Sequence, residues 1–339
     1  MHCPNCGGLS QSEGDFCIYC GARMPLPTTS IREDDFKRLR EQLVPIINHK
    51  DRTDVVISSL WVVIPFIGLM IVGIAIFAVL MADVFASVES GAYDSDDPFG
   101  IYSTDSMAYS VVLYAISAGL YVALALLTYN LVKRHNEHFT RERRFRDAIM
   151  SFSERSAGAM FQYSTPMNAE TKRSPILWAG VIALPGVTTL VGMVAMMVIG
   201  SADDPNVGAY VLIVLVLATV ALVLLVAEFY LFYFLTVEMS NHNNRWMGFV
   251  RETKALLGRG GYTAGGLLEP MRLPDRSIAV YVVASLFTGG LFFFYWWYSI
   301  VKDGNEHFRH HRHFEGQLVA LLSTRPTRTD EQDASISWV

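Results

Sequence analysis

Long uncharged runs separated by short polar stretches set the pattern of this chain. Val55 to Ala82, Met107 to Val132 and Pro175 to Ala202 contain no Asp, Glu, Lys or Arg, and Val207 to Val237 contains only Glu228. A helix needs roughly 20 apolar residues to cross the hydrocarbon of a bilayer, so each run predicts a spanning helix. A further apolar run, Ile278 to Val301, is interrupted at Thr288-Gly289-Gly290. Its first arm, Ser277 to Phe287, makes about 16 Å of helix at 1.5 Å per residue, which reaches only half depth. We therefore expect a re-entrant hairpin here, with a fifth span as the alternative.

The connections sort by sign. Asp83 to Ser106 holds six acidic residues, Asp94, Asp96 and Asp97 among them, and no Lys or Arg; Ser201 to Val207 holds two acids and no base. Lys133 to Arg173 carries nine Lys or Arg, and Glu238 to Arg276 carries six. The positive-inside rule then places the basic stretches and the N-terminus in the cytoplasm of a multi-pass cell-membrane protein. The N-terminus is polar and the first apolar run begins beyond residue 50, which argues against a cleaved signal peptide.

Self-comparison adds an internal repeat. Asn136-Glu137-His138-Phe139 returns as Asn305-Glu306-His307-Phe308 and, more weakly, as Asn243-Asn244-Arg245-Trp246. Phe145, Ile149 and Phe152 match Phe314, Leu318 and Leu321 at the same offsets. Upstream, Arg52-Thr53, Arg173-Ser174 and Arg276-Ser277 each open an apolar run that meets a breaker: Pro65, Pro185 and Gly289. The expected fold is an all-α membrane protein, a multi-pass helical bundle of three related units with four spanning helices plus the hairpin or fifth span. The units cover 52–160, 161–265 and 266–323, each with a cytoplasmic amphipathic helix. A linker and amphipathic helix at 24–51 precede them, and a disordered tail at 324–339 follows.

The N-terminal segment 1–23 reads as a zinc ribbon. Cys3-Pro4-Asn5-Cys6-Gly7 and Cys17-Ile18-Tyr19-Cys20-Gly21 are two matched knuckles, and four thiolates close a tetrahedral Zn2+ site with no open position. That predicts Cys3, Cys6, Cys17 and Cys20 as ligands of a structural metal. No Lys or Arg stands between Cys3 and Cys20, which points away from nucleic acid and towards a protein contact.

Composition narrows the function classes. Hydrophobic residues make up 52% of the 339 and charged residues 17%, well under the roughly 25% of soluble domains. The net charge of -5 is too small to argue for nucleic acid. No phosphate loop, nucleophile elbow or HExxH stands in the chain, so no enzyme is expected.

The third unit carries a family resemblance. Ser285-Leu286-Phe287-Thr288-Gly289-Gly290-Leu291-Phe292-Phe293-Phe294-Tyr295-Trp296-Trp297-Tyr298, followed by Lys302-Asp303 and Asn305, resembles the hallmark stretch of the prokaryotic membrane family called domain of unknown function 4234. Thr288, Gly290, Tyr295, Trp296 and Tyr298 fit that pattern; Phe293 stands where the family usually has Gly. The resemblance is strongest at 276–325. It implies a membrane-embedded module often joined to zinc ribbons, without an established activity.

One residue and one cluster invite chemistry. Glu228 is an ionisable group inside or at the edge of a span. His307, His310, His311 and His313 are dense, and His307 with His311 has the i, i+4 spacing of a metal chelate. Arg309 and Arg312 interrupt that run, so a charged helix lying on the anionic inner leaflet explains it more simply. The expected function is a non-enzymatic scaffold or adaptor that binds the lipid bilayer and recruits a cytoplasmic protein partner, with self-association of the chain left open. The alternative is a small transporter or channel using the broken helices near Pro65, Pro185 and Gly289-Gly290, where Ser58, Ser59, Thr188, Thr189 and Thr288 would supply polar groups.

Overall fold

In an uncharged run the backbone amides must find partners within the segment, and the α-helix is the local solution. The computed structural model describes residues 31–89, 104–157, 170–200 and 207–324, and every regular element among them is helical. The four-cysteine segment, the acidic connection with Asp94, Asp96 and Asp97, and the tail beyond Thr324 lie outside the described residues.

The chain runs through α1 (Glu33–Asn48), a single turn α2 (Lys50–Thr53), α3 (Leu60–Glu89), α4 (Thr104–Phe152), α5 (Pro175–Gly200), α6 (Val207–Arg259), α7 (Ile278–Phe287) and α8 (Leu291–Leu321). Of these, α3, α4, α5 and α6 are long and apolar enough to cross a membrane. Serine marks three of the helix starts. The Ser58 hydroxyl oxygen accepts from Leu60 N at 3.3 Å, that of Ser174 from Leu177 N at 3.3 Å, and Ser277 caps α7 through Val280 N. Each satisfies an amide that the helix cannot.

Helix length separates two regions. At 1.5 Å per residue the 49 residues of α4 make about 74 Å and the 53 of α6 about 80 Å, against a hydrocarbon layer of about 30 Å. Both therefore continue far past their uncharged parts. The amphipathic segments expected after the spans are continuous with them.

The last apolar run, Ile278 to Val301, folds back on itself. α7 ends at Phe287, Gly289 and Gly290 adopt φ of 58° and 89°, and α8 starts at Leu291. Only glycine takes two successive left-handed positions at little cost. The Thr288 hydroxyl donates to Ala284 O at 2.7 Å and its oxygen accepts from Phe292 N at 2.9 Å, so one side chain serves both helix ends. The arms are antiparallel: Tyr281 packs on Phe292 and Trp296 with ring centroids 5.4 and 5.1 Å apart, and Arg276 Nη2 reaches Asp303 Oδ1 at 2.8 Å. This is the hairpin geometry expected from the glycine pair.

Each region has its own core. In the apolar one, Val62, Leu127, Trp178, Ile182, Phe232, Trp296 and Val301 pack together, while large apolar side chains such as Ile74, Phe77, Val198 and Val226 point outward. In the polar one, Phe36, Leu39, Leu43 and Ile47 of α1 form a stripe at 3.6-residue spacing. That stripe packs on Phe145, Ile149 and Phe152 of α4, Trp246 and Val250 of α6, and Phe314 and Leu318 of α8.

Candidate functional site in a buried histidine and carboxylate layer

Between the two cores α4, α6 and α8 bring polar residues inward. On α4, Arg134, His138, Glu142 and Arg146 stand four apart with Arg141 three after His138, and on α8 His307, His311 and Glu315 stand four apart, so each set shares one helix face. His242 and Asn243 come from α6; Asp54 and Glu170 come from the segments ahead of α3 and α5. All of these are buried, with His138, His242 and Glu315 at 0% exposure.

Three asparagines fix the frame. Asn136 donates to Arg173 O at 2.7 Å and accepts from Arg173 N at 3.1 Å. Asn305 does the same to Ile57, at 2.7 and 3.1 Å, and also accepts from Arg134 Nη1 at 2.8 Å. Asn243 donates to Met271 O at 3.0 Å. Gly304 lets Arg134 lie flat against α8, since a Cβ there would sit 2.8 Å from the guanidinium.

Buried charges need partners, and most have them. Arg141 spans two carboxylates, donating to Asp54 Oδ2 at 2.8 Å and to both Glu315 oxygens at 2.7 and 2.8 Å. Glu170 receives Arg245 at 3.0 Å and Arg146 at 3.3 Å. Glu142 lies 3.0 Å from Arg146 Nε and 3.2 Å from His242 Nε2, near enough for attraction but out of line for hydrogen bonds.

The histidines are held in a common way. His138 Nδ1 lies 2.9 Å from Asp54 Oδ1, His242 Nδ1 2.9 Å from Glu170 Oε1, and His307 Nδ1 3.0 Å from Asn243 Oδ1. Burial favours the neutral ring in all three and in His311, pushing His242 down to about 3 and the others below their ordinary value. Burial alone would raise Asp54 and Glu170, but His138 and Arg141 around the first, and His242 and Arg146 around the second, hold both carboxyls at about 2. Burial raises Glu142 to about 8. A neutral imidazole facing a carboxylate must donate from Nδ1, which leaves the lone pair on Nε2. For His307 the amide decides: Asn243 Nδ2 is committed to Met271 O, so Oδ1 faces the ring and Nδ1 donates. Nε2 of His138, His242 and His307, and both ring nitrogens of His311, are buried without a hydrogen-bond partner.

The structure treats the sequence candidates unevenly. His307 and His311 turn inward rather than towards a leaflet, because their face of α8 meets α4 and α6; His310 is half-buried and His313 is exposed beside Gln317. Glu228 is half-buried on α6, fourteen residues and about 21 Å of helix before His242, outside the layer. Cys3, Cys6, Cys17 and Cys20 lie outside the described residues. Near the breaks, Thr188 donates to Leu184 O, Thr189 to Pro185 O and Thr288 to Ala284 O, each within its own helix. A cleft of about 180 Å³ opens beside the layer instead, lined by Arg134, His135, Thr236, Arg276 and Asp303 among others.

His138 and His242 were not singled out from sequence, although one signal was present: His138 and His307 share the repeated Asn-Glu-His-Phe anchor. Set beside protein-family models, curated proteins and solved structures, the chain matches none.

Proposed function

We propose that the chain is a multi-pass cell-membrane protein with a cytoplasmic N-terminus, working as a non-enzymatic scaffold or adaptor. Its cytoplasmic helical bundle and an N-terminal zinc ribbon of Cys3, Cys6, Cys17 and Cys20, holding a structural Zn2+, recruit a cytoplasmic protein to the bilayer. The observation that carries this reading is where polar groups converge. They meet in a buried layer beyond the uncharged segments, while the hydroxyls nearest the breaks donate inside their own helices. A transporter or channel at Pro65, Pro185 and Gly289-Gly290 needs the reverse arrangement. The basic stretches on the side of this layer support a cytoplasmic placement for it.

Three related units draw support from the asparagine clamps. Asn136 holds the backbone just ahead of α5, Asn243 the segment before α7 and Asn305 the segment before α3, so the clamps close a ring around the bundle. On this register Ser58, rather than Thr53, is the counterpart of Ser174 and Ser277. Kinship with the domain of unknown function 4234 is part of the proposal, supported by the turn that Thr288 and Gly290 build.

Crosslinking in native membranes followed by mass spectrometry tests the reading. A defined cytoplasmic protein should crosslink to the intact chain and be lost when Cys3 and Cys6 are replaced by Ser. Solute flux in proteoliposomes with no such crosslink would sink it.

A further inference from the structure

We infer that His138, His242, His307 and His311 form a binding site for a divalent transition-metal ion of the zinc type at the junction of α4, α6 and α8. The site is separate from the cysteine set at the N-terminus, and it would bind its ion whether or not the protein acts as an adaptor.

Four features carry the inference. The four rings cluster, with every pair of centroids 4.0 to 5.7 Å apart. One ligand atom from each lies within 4.8 Å of the others, all buried. A tetrahedral ion at about 2.0–2.1 Å from nitrogen holds its ligands about 3.3 Å apart, so closing the site needs side-chain shifts of roughly 1 Å or less. Second, Nδ1 of three rings is already engaged by Asp54, Glu170 and Asn243. Metal-ligating histidines characteristically donate their second nitrogen to such a group, which fixes the tautomer and aims the other nitrogen at the metal.

Third, Nε2 of His138 and His307 and both nitrogens of His311 are buried without partners, and His242 Nε2 has only Glu142 Oε2 nearby, at 3.2 Å and out of line for a hydrogen bond. A histidine kept only for packing has no need of an orienting carboxylate on one side and an unmet lone pair on the other. Fourth, the donors are imidazoles, which suit Zn2+, Co2+, Ni2+ or Cu2+ and discriminate against Mg2+ and Ca2+. His311 stacks on Trp246 with centroids 3.8 Å apart, which holds the fourth ring in place without a polar partner. The ion would tie together three helices that are far apart in sequence, so it would bind the folded bundle and stabilise it.

The test uses the full chain in detergent with Cys3, Cys6, Cys17 and Cys20 changed to Ser and a purification tag free of histidine. One Zn2+ per chain should remain by elemental analysis. Co2+ should give tetrahedral visible bands with no thiolate-to-cobalt charge-transfer band. Replacing His307→Cys should add that charge-transfer band, and His138→Ala should weaken Co2+ binding by at least the roughly 10- to 100-fold that loss of an outer partner costs. If His138→Ala does not fold, the His307→Cys spectrum decides. Folded four-serine protein that keeps no Zn2+ and leaves Co2+ in its octahedral hydrated form overturns the inference. So does a Co2+ spectrum indifferent to both histidine variants, which would mean surface binding only.

Discussion

The same helices, α4, α6 and α8, pass through two regions that bury opposite chemistry. In the apolar region the outward face is as hydrophobic as the core, and the few hydroxyls bond to the turn behind them. In the polar region the outward face is mixed, while guanidinium, carboxylate and imidazole groups go inside. Packing, with one bond from Trp296 Nε1 to Thr236 Oγ1 between α8 and α6, holds the first together. The second uses directional pairs that fit only one register of three helices, and leaves imidazole nitrogens at its centre without hydrogen-bond partners.

Breaking the polar layer should have the largest effect. Arg141→Leu strands Glu315 as a buried carboxylate and leaves Asp54 to His138 and Thr53, and an uncompensated charge of this kind costs about 3–5 kcal/mol. Denaturant unfolding followed by intrinsic tryptophan fluorescence should register that loss, and pairing the change with Glu315→Leu should recover part of it. Removing one asparagine clamp is milder: Asn305→Ala frees Ile57 and Arg134, for about 1–3 kcal/mol. The unfolding midpoint should fall accordingly.

Changes in the apolar region should weigh less. Gly290→Ala meets no atom within 4 Å, so its cost is the left-handed backbone alone, about 1–2 kcal/mol in thermal unfolding. Smallest of all is Phe287→Ala at the hairpin tip. Phe287 is 88% exposed, and its loss should stay within about 0.5 kcal/mol. A Phe287 effect as large as that of Arg141 would erase the contrast between the regions.

Much of the apolar region was legible in the sequence because hydropathy is a local property. The four long helices and the fold-back at Gly289-Gly290 follow from runs of residues and a pair of glycines. The polar region was less legible. His307 and His311 were noticed as an i, i+4 pair, yet Arg309 and Arg312 made the helix look surface-bound. The structure separates the two sets by face: Arg309 is exposed and Arg312 reaches Asp51 and the Asp54 carbonyl. Which polar residues turn inward depends on α4 and α6, more than 60 residues away along the chain, and no single helix encodes it. Asp54 and Glu170 were invisible for the same reason, since each acts through a histidine on another element.

The central claim is that the uncharged helices cross a bilayer and leave the polar layer in the cytoplasm. With the four native cysteines changed to Ser, a thiol introduced as Thr324→Cys, exposed just past α8, can be challenged in intact cells with a membrane-impermeant maleimide. The account predicts no labelling until the cells are opened, while Asp94→Cys in the acidic connection labels at once. Labelling of the residue 324 thiol from outside would contradict the returning hairpin and the placement of the whole layer.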